Sequence, residues 1–188
     1  MNCLKANMTR FITGSFACFL IAFSLMACDN EPKKKSIPLK VQSKKEYQDL
    51  MIESHKAYLQ REREKLDHFT DSLPYDFVQT ESGLRYTVTH TEKSTDSITA
   101  GDIAVIHYTL TLLNGDTAYQ TLTQKPQEFM VNMDDVEAGL HEGIQYLAVG
   151  DKAIMVLPAH LAHGLTGDQA AIPIQTPVVY HLELLAKK

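Results

Sequence analysis

The stretch LPAHLAHGLTGDQAAIPI, residues 157–174, places His160 three residues before His163 and Asp168 five beyond that. Two imidazoles and a carboxylate are side chains that bind divalent metals or move protons. A structural zinc wants four ligands, and the chain has no cysteine after Cys28 to complete the set. A catalytic zinc wants three convergent ligands, and His141 and Glu142 belong to another element with no required proximity. The other reading is a loop that closes over an apolar pocket, with His163 able to donate a hydrogen bond. The expectation is therefore no metal and no cofactor.

The segments that must position this loop are mostly strands. GLRYTVTH, DIAVIHYTLTL, QEFMVNM, KAIMVLP and PVVYHLELL are rich in β-branched and aromatic residues. Asn114-Gly115 is a turn signal between the second and third of them. One segment breaks the run: VEAGLHEGIQYLAVG carries Val136, Leu140, Ile144 and Leu147 at helical spacing and ends on Gly150. The expected class is α+β, an antiparallel sheet wrapped on one short helix. A helix is also expected from about residue 45 to 69. Tyr47, Leu50, Met51, Ser54, Tyr58, Leu66 and Phe69 fall mostly on one face, and Leu73-Pro74 ends it. Such a thin apolar stripe fits light packing on the domain, pairing with a second copy, or a semi-rigid stalk.

The first 27 residues have a different composition. Lys5 and Arg10 precede the apolar run FITGSFACFLIAFSLMA, which ends on a small residue before Cys28. This is the pattern of a secretory signal; a retained transmembrane anchor is the competing reading, at the lower limit of spanning length. Leu25-Met26-Ala27-Cys28 resembles a bacterial lipobox, which implies cleavage before Cys28 and lipidation of its sulfur. Cys3 and Cys18 would leave with the signal, so core packing alone must hold the mature fold. Removing Lys5 and Arg10 takes the formal charge from −5 to −7, a balance that argues against nucleic acid as a partner. DNEPKKKSIPLKVQSKK, with two prolines and six lysines, reads as a flexible tether. The expected organisation is a signal over 1–27, a tether over 28–44, a helical segment over 45–76 and a domain over 77–188.

From about Thr80 to Leu185 the chain resembles the FKBP-type peptidyl-prolyl cis/trans isomerases. The stretches that carry the resemblance are SGLRY, AGDIAVIHYTL, LNG, KPQEFMV, AGLHEGIQYLAVGDKAIMVLPAHLAHG and AAIPIQTPVVYHLELL, in that order. The helical segment, NGDTAY and the lipobox look most like the gliding-motility-associated isomerase lipoproteins of Bacteroidetes. The resemblance implies an FKBP-like half-barrel and a proline pocket built from Tyr108, Phe129, Leu140, Ile172 and Tyr180. Glu137 falls where a backbone N–H receives a substrate carbonyl, and His163 where most members carry a tyrosine hydroxyl. At the rim, Ala118-Tyr119 stands for a Phe-Asp pair and Gln127 for a phenylalanine. Leu140 replaces a floor tryptophan, and Leu110 replaces a glycine.

Two functions are compatible with that pattern. One is an envelope lipoprotein, outer-membrane or surface-exposed, that isomerises X–Pro bonds in exported polypeptides. The other is a non-catalytic binding or scaffold domain that assists assembly of an envelope machine. The partners implied are proline-containing polypeptides, a membrane reached through the lipid on Cys28, and a second copy through the helix at 45–69.

Overall fold

The computed structural model describes residues 43–91, 94 and 96–188. The expected signal, Cys28 and the tether as far as Gln42 lie outside the described residues. Helix α1, Lys44–Asp71, opens with Ser43 as N-cap, whose hydroxyl accepts the Glu46 N–H at 3.1 Å. Ser-x-x-Glu is the residue pairing of a capping box. The helix closes at Ser72, whose N–H returns to the carbonyls of His68 and Phe69, and Pro74 prevents further winding.

Six further strands and a short helix follow β1, Val78–Gln79. They are β2 Arg85–His90, β3 Ile103–Leu112, β4 Thr117–Gln120, β5 Gln127–Met130, α2 Ala138–Ile144, β6 Lys152–Leu157 and β7 Val178–Lys187. The sheet order is β1-β2-β6-β7-β3-β4, with β5 pairing the first half of β3 and every ladder antiparallel. This is the expected open sheet on a short helix, with a helix in front.

Two details differ from expectation. Asn114-Gly115 turns β3 onto β4, not directly onto QEFMVNM. Strand β4 is a four-residue edge in which only Ala118 is half-buried, so it carries no hydrophobic alternation to read. Helix α2 is also shorter than the periodic segment. It ends at Ile144, and Leu147 reaches the core from a turn instead.

The interior explains why KAIMVLP is apolar without alternation. Ala153, Met155 and Leu157 face the main core with Leu140 and Ile144 of α2, whereas Ile154 and Val156 face the opposite side. There they meet Leu66 of α1 and Val179 of β7, so β6 is covered on both faces. Helix α2 approaches β6 closely because Gly139 and Gly143 lie four apart on one face. A Cβ on Gly139 would sit 2.6 Å from Leu157 Cγ, and one on Gly143 would sit 2.5 Å from Met155 Sδ. Side chains there would push α2 off the sheet, and with it the loop that carries Glu137.

The buried contacts of helix α1 with the sheet lie along its second half. Besides Leu66, Arg85 of β2 is buried and directs Nη2 to Asp67 Oδ1 at 2.5 Å. Glu62, also buried, accepts the Ala159 N–H through Oε1 at 2.9 Å. Ala159 begins the 3₁₀ turn Ala159–Leu161 that follows β6, so α1 satisfies a backbone donor at the root of the histidine-bearing loop. In the first half, Tyr47, Met51 and Ile52 are exposed.

Candidate proline-binding site

A cavity of about 540 Å³ opens between β3, β4, β5, the loop before α2 and the loop leading to β7. Its walls are Tyr108, Leu110, Tyr119, Gln127, Asp135, Val136, Glu137, Ala162, His163, Asp168 and Tyr180. A larger recess of about 720 Å³ lies beside Asp67, Pro74 and Arg85; Tyr75 and Phe77 line it, and none of Tyr108, Tyr119 and Tyr180 reaches it. The smaller cavity is the chemically shaped one, because aromatic walls and a few convergent polar groups mark a ligand site.

Tyr108 and Tyr180 come from neighbouring strands, and their rings lie 5.3 Å apart at 56°. Tyr180 is buried, and its phenol lies beside the Glu137 carboxylate. Burial first, and then the negative charge of Glu137, hold the Tyr180 phenol far above the usual tyrosine range. Tyr108 is raised in the same direction by burial and then by Glu137. Both phenols are therefore neutral donors at physiological pH.

Glu137 is the N-cap of α2, yet its side chain makes no cap bond and turns into the cavity. Its Oε1 lies 3.0 Å from His163 Nε2. That spacing suits an ion pair, but the contact lacks hydrogen-bond geometry, and Nε2 is buried without a hydrogen-bond partner. Across the mouth, the Tyr119 hydroxyl bonds Asp168 Oδ2. The other oxygen of Asp168 accepts the N–H groups of Ala170 and Ile172 at 2.9 and 2.7 Å. The Tyr119 hydroxyl and these backbone donors hold the Asp168 carboxyl well below the usual range. The loop folds back here because Gly167 has φ +63° and a Cβ on it would meet the Ile172 carbonyl oxygen at 2.3 Å.

The structure thus brings together Tyr108, Tyr119, Gln127, Glu137, His163 and Tyr180. Phe129, Leu140 and Ile172 lie in the core behind the cavity, each at most 2% exposed, and Ala118 packs against that core. Leu110, where the resemblance implies a glycine, joins the wall and takes up space that a smaller residue would leave. The histidine pair does not converge. His160 Nε2 lies 3.0 Å from the Ser82 carbonyl, on the α1 side of the loop, while His163 faces Glu137. Among the described residues no group of three or more His, Cys, Asp or Glu is placed to hold a metal ion. The role missed in the sequence is that of the Glu137 side chain. Its position suggested only a backbone contact, and no local motif announces that a cap carboxylate will turn inward.

The family model for FKBP-type peptidyl-prolyl cis-trans isomerase matches residues 94–185. FK506-binding protein 2 of Dictyostelium discoideum is 31% identical over 104 residues, which cover 55% of this chain and 76% of that protein. The chain belongs to the FKBP-type peptidyl-prolyl cis-trans isomerase family. A second FKBP relative, the isomerase FkpA of Aeromonas hydrophila, is 37% identical over 109 residues, covering 57% of this chain and 39% of that one. A solved peptidyl-prolyl cis-trans isomerase from Pseudomonas syringae superposes with a TM-score of 0.60 at 25% identity, covering 71% of this chain and 95% of that one. The chain spans about half the length, or less, of several curated FKBP relatives that it matches. Helix α1 lies outside the matched FKBP region.

Proposed function

We propose that this chain is a peptidyl-prolyl cis/trans isomerase whose substrate segments enter the cavity between Tyr108, Glu137 and Tyr180. The observation that carries the reading is the convergence of these three side chains, from β3, the α2 cap and β7, on one aromatic cavity. The reaction needs no nucleophile. X–Pro rotation faces a barrier of roughly 18–20 kcal/mol from amide resonance. Water stabilises the charge-separated planar amide more than the twisted one, so a pocket that replaces water with aromatic walls assists rotation. Each tenfold gain in rate needs about 1.4 kcal/mol of preference for the twisted form. Leu110 and Gln127 make this pocket narrower and more polar than the family pattern, which favours modest turnover.

The test is a protease-coupled prolyl-peptide assay on the chain from Asp29. The parent is expected to exceed the uncatalysed rate, with Tyr108→Ala lowering kcat/KM at least about tenfold through loss of the wall. No rate above background for the parent, with a gain for His163→Tyr, would overturn the enzyme in favour of a binding or scaffold domain.

The setting we infer is the bacterial cell envelope, with the protein held by lipid on Cys28 and acting on exported polypeptides. Support comes from the apolar leader and the lipobox-like Leu25-Met26-Ala27-Cys28. Replacing Cys28 with alanine should move the protein from the membrane to the soluble fraction; unchanged partitioning would remove the anchor from this account.

A further inference from the structure

Among the described residues, the cavity walls carry three carboxylates, Asp135, Glu137 and Asp168, and neither lysine nor arginine. Asp168 is already occupied by Tyr119 and two backbone N–H groups. Glu137 is less fully engaged. Its side chain is only 13% exposed, it lies beside the Tyr180 phenol, and its one cationic neighbour among the described residues, His163 at 3.0 Å, is charged only when protonated. An ionised carboxylate offers about four acceptor positions. A mostly buried one is costly unless those positions are filled. Asp135 adds a second negative charge at the exposed mouth. The complementary group is a cationic side chain that can reach from the prolyl ring to Glu137.

We propose that the cavity selects prolyl segments with lysine or arginine immediately beside the proline, and that Glu137 is the specificity-determining residue. The cavity is in the size range of a small-molecule pocket. It has room for the proline and a flanking side chain, so the charge choice acts on the nearest neighbours. Asp135 supports the choice from the mouth by attracting the cation on approach. The proposal rests on prolyl segments entering this cavity, as in the reading above, and not on their turnover.

The test uses capped peptides with lysine, alanine or glutamate placed just before or just after one proline. They are titrated into the isotope-labelled chain from Asp29, with chemical-shift changes reporting binding and exchange spectroscopy reporting isomerisation. Affinity should fall from lysine to alanine to glutamate in at least one position. The lysine peptide should bind roughly tenfold tighter than the glutamate peptide, since attraction and repulsion with Glu137 and the exposed Asp135 are compared. Raising salt to about 0.5 M should shrink the ratio. Glu137→Gln should collapse it to about twofold, and Asp135→Asn, at an exposed position, should remove a smaller share. Should Glu137→Gln fail to fold, the Asp135→Asn and salt results decide. Equal affinities, a salt-insensitive ratio, or an order that survives Glu137→Gln would overturn the proposal. Charge-ordered binding without faster exchange keeps it and sinks the isomerase reading. Faster exchange without charge order does the reverse, and no binding of any peptide overturns both.

Discussion

Leu66→Ala is expected to destabilise the domain by about 2–5 kcal/mol, the range for removing most of a buried leucine. Leu66 is 1% exposed, and it fills the space between α1 and the outer faces of Ile154, Val156 and Val179. With Leu66 shortened, α1 loses its main apolar hold, and the bonds from Glu62 to Ala159 and from Asp67 to Arg85 must keep it in place. A thermal melt should show a fall of roughly 5–15 °C for a domain of this size. Met51→Ala on the exposed first half is the internal control and should change stability by no more than about 0.5 kcal/mol. Equal melting temperatures for Leu66→Ala and the parent would show that α1 does not contribute to the stability of the sheet.

Tyr180→Ala has the second large effect and joins stability to the site. The side chain is 3% exposed, sits in the main core, packs its ring on Tyr108 and sets its hydroxyl beside Glu137. Removing it should cost about 3–5 kcal/mol, as for other buried aromatics, and open the back wall of the cavity. Tyr180→Phe separates the two roles. It keeps the ring and removes the hydroxyl beside Glu137, at a cost of about 1 kcal/mol. Urea unfolding should show a large fall in midpoint for alanine and a small one for phenylalanine, both at unchanged slope. If alanine and phenylalanine shift the midpoint equally, the ring packing of Tyr180 contributes nothing to the stability of the domain.

Much of this architecture is legible in the chain because strand patterning and α2's helical spacing are imposed by burial. The apolar face of the VEAGLHEGIQYLAVG segment and the aromatic strands name the core directly. Strand β4 escapes notice because an exposed four-residue edge has no side to bury, and its only mark is the turn before it. The site is half legible. Tyr108 and Tyr180 are recognisable by their strands, but whether Phe129 lines a pocket or fills a core depends on how far Leu110 and Gln127 intrude. Residue spacing carries no such information. The Glu137 carboxylate is the clearest case: an N-cap position predicts where the backbone goes, and tertiary contacts with Tyr180 and His163 decide where the side chain goes.

Strand β7 comes last in chain order yet lies in the middle of the sheet, between β6 and β3. Its pairing with β3 joins Ala104 to Lys187 and Leu112 to Val178, partners separated by most of the domain. Such long-range pairing makes for slow folding, because the chain must close a large loop before the contacts reward it. Until β7 is made, a nascent chain therefore holds the β2–β6 pair and β3 without the strand that links them. During that interval β3 and β6 present unpaired apolar edges, and the waiting chain is most exposed to aggregation then.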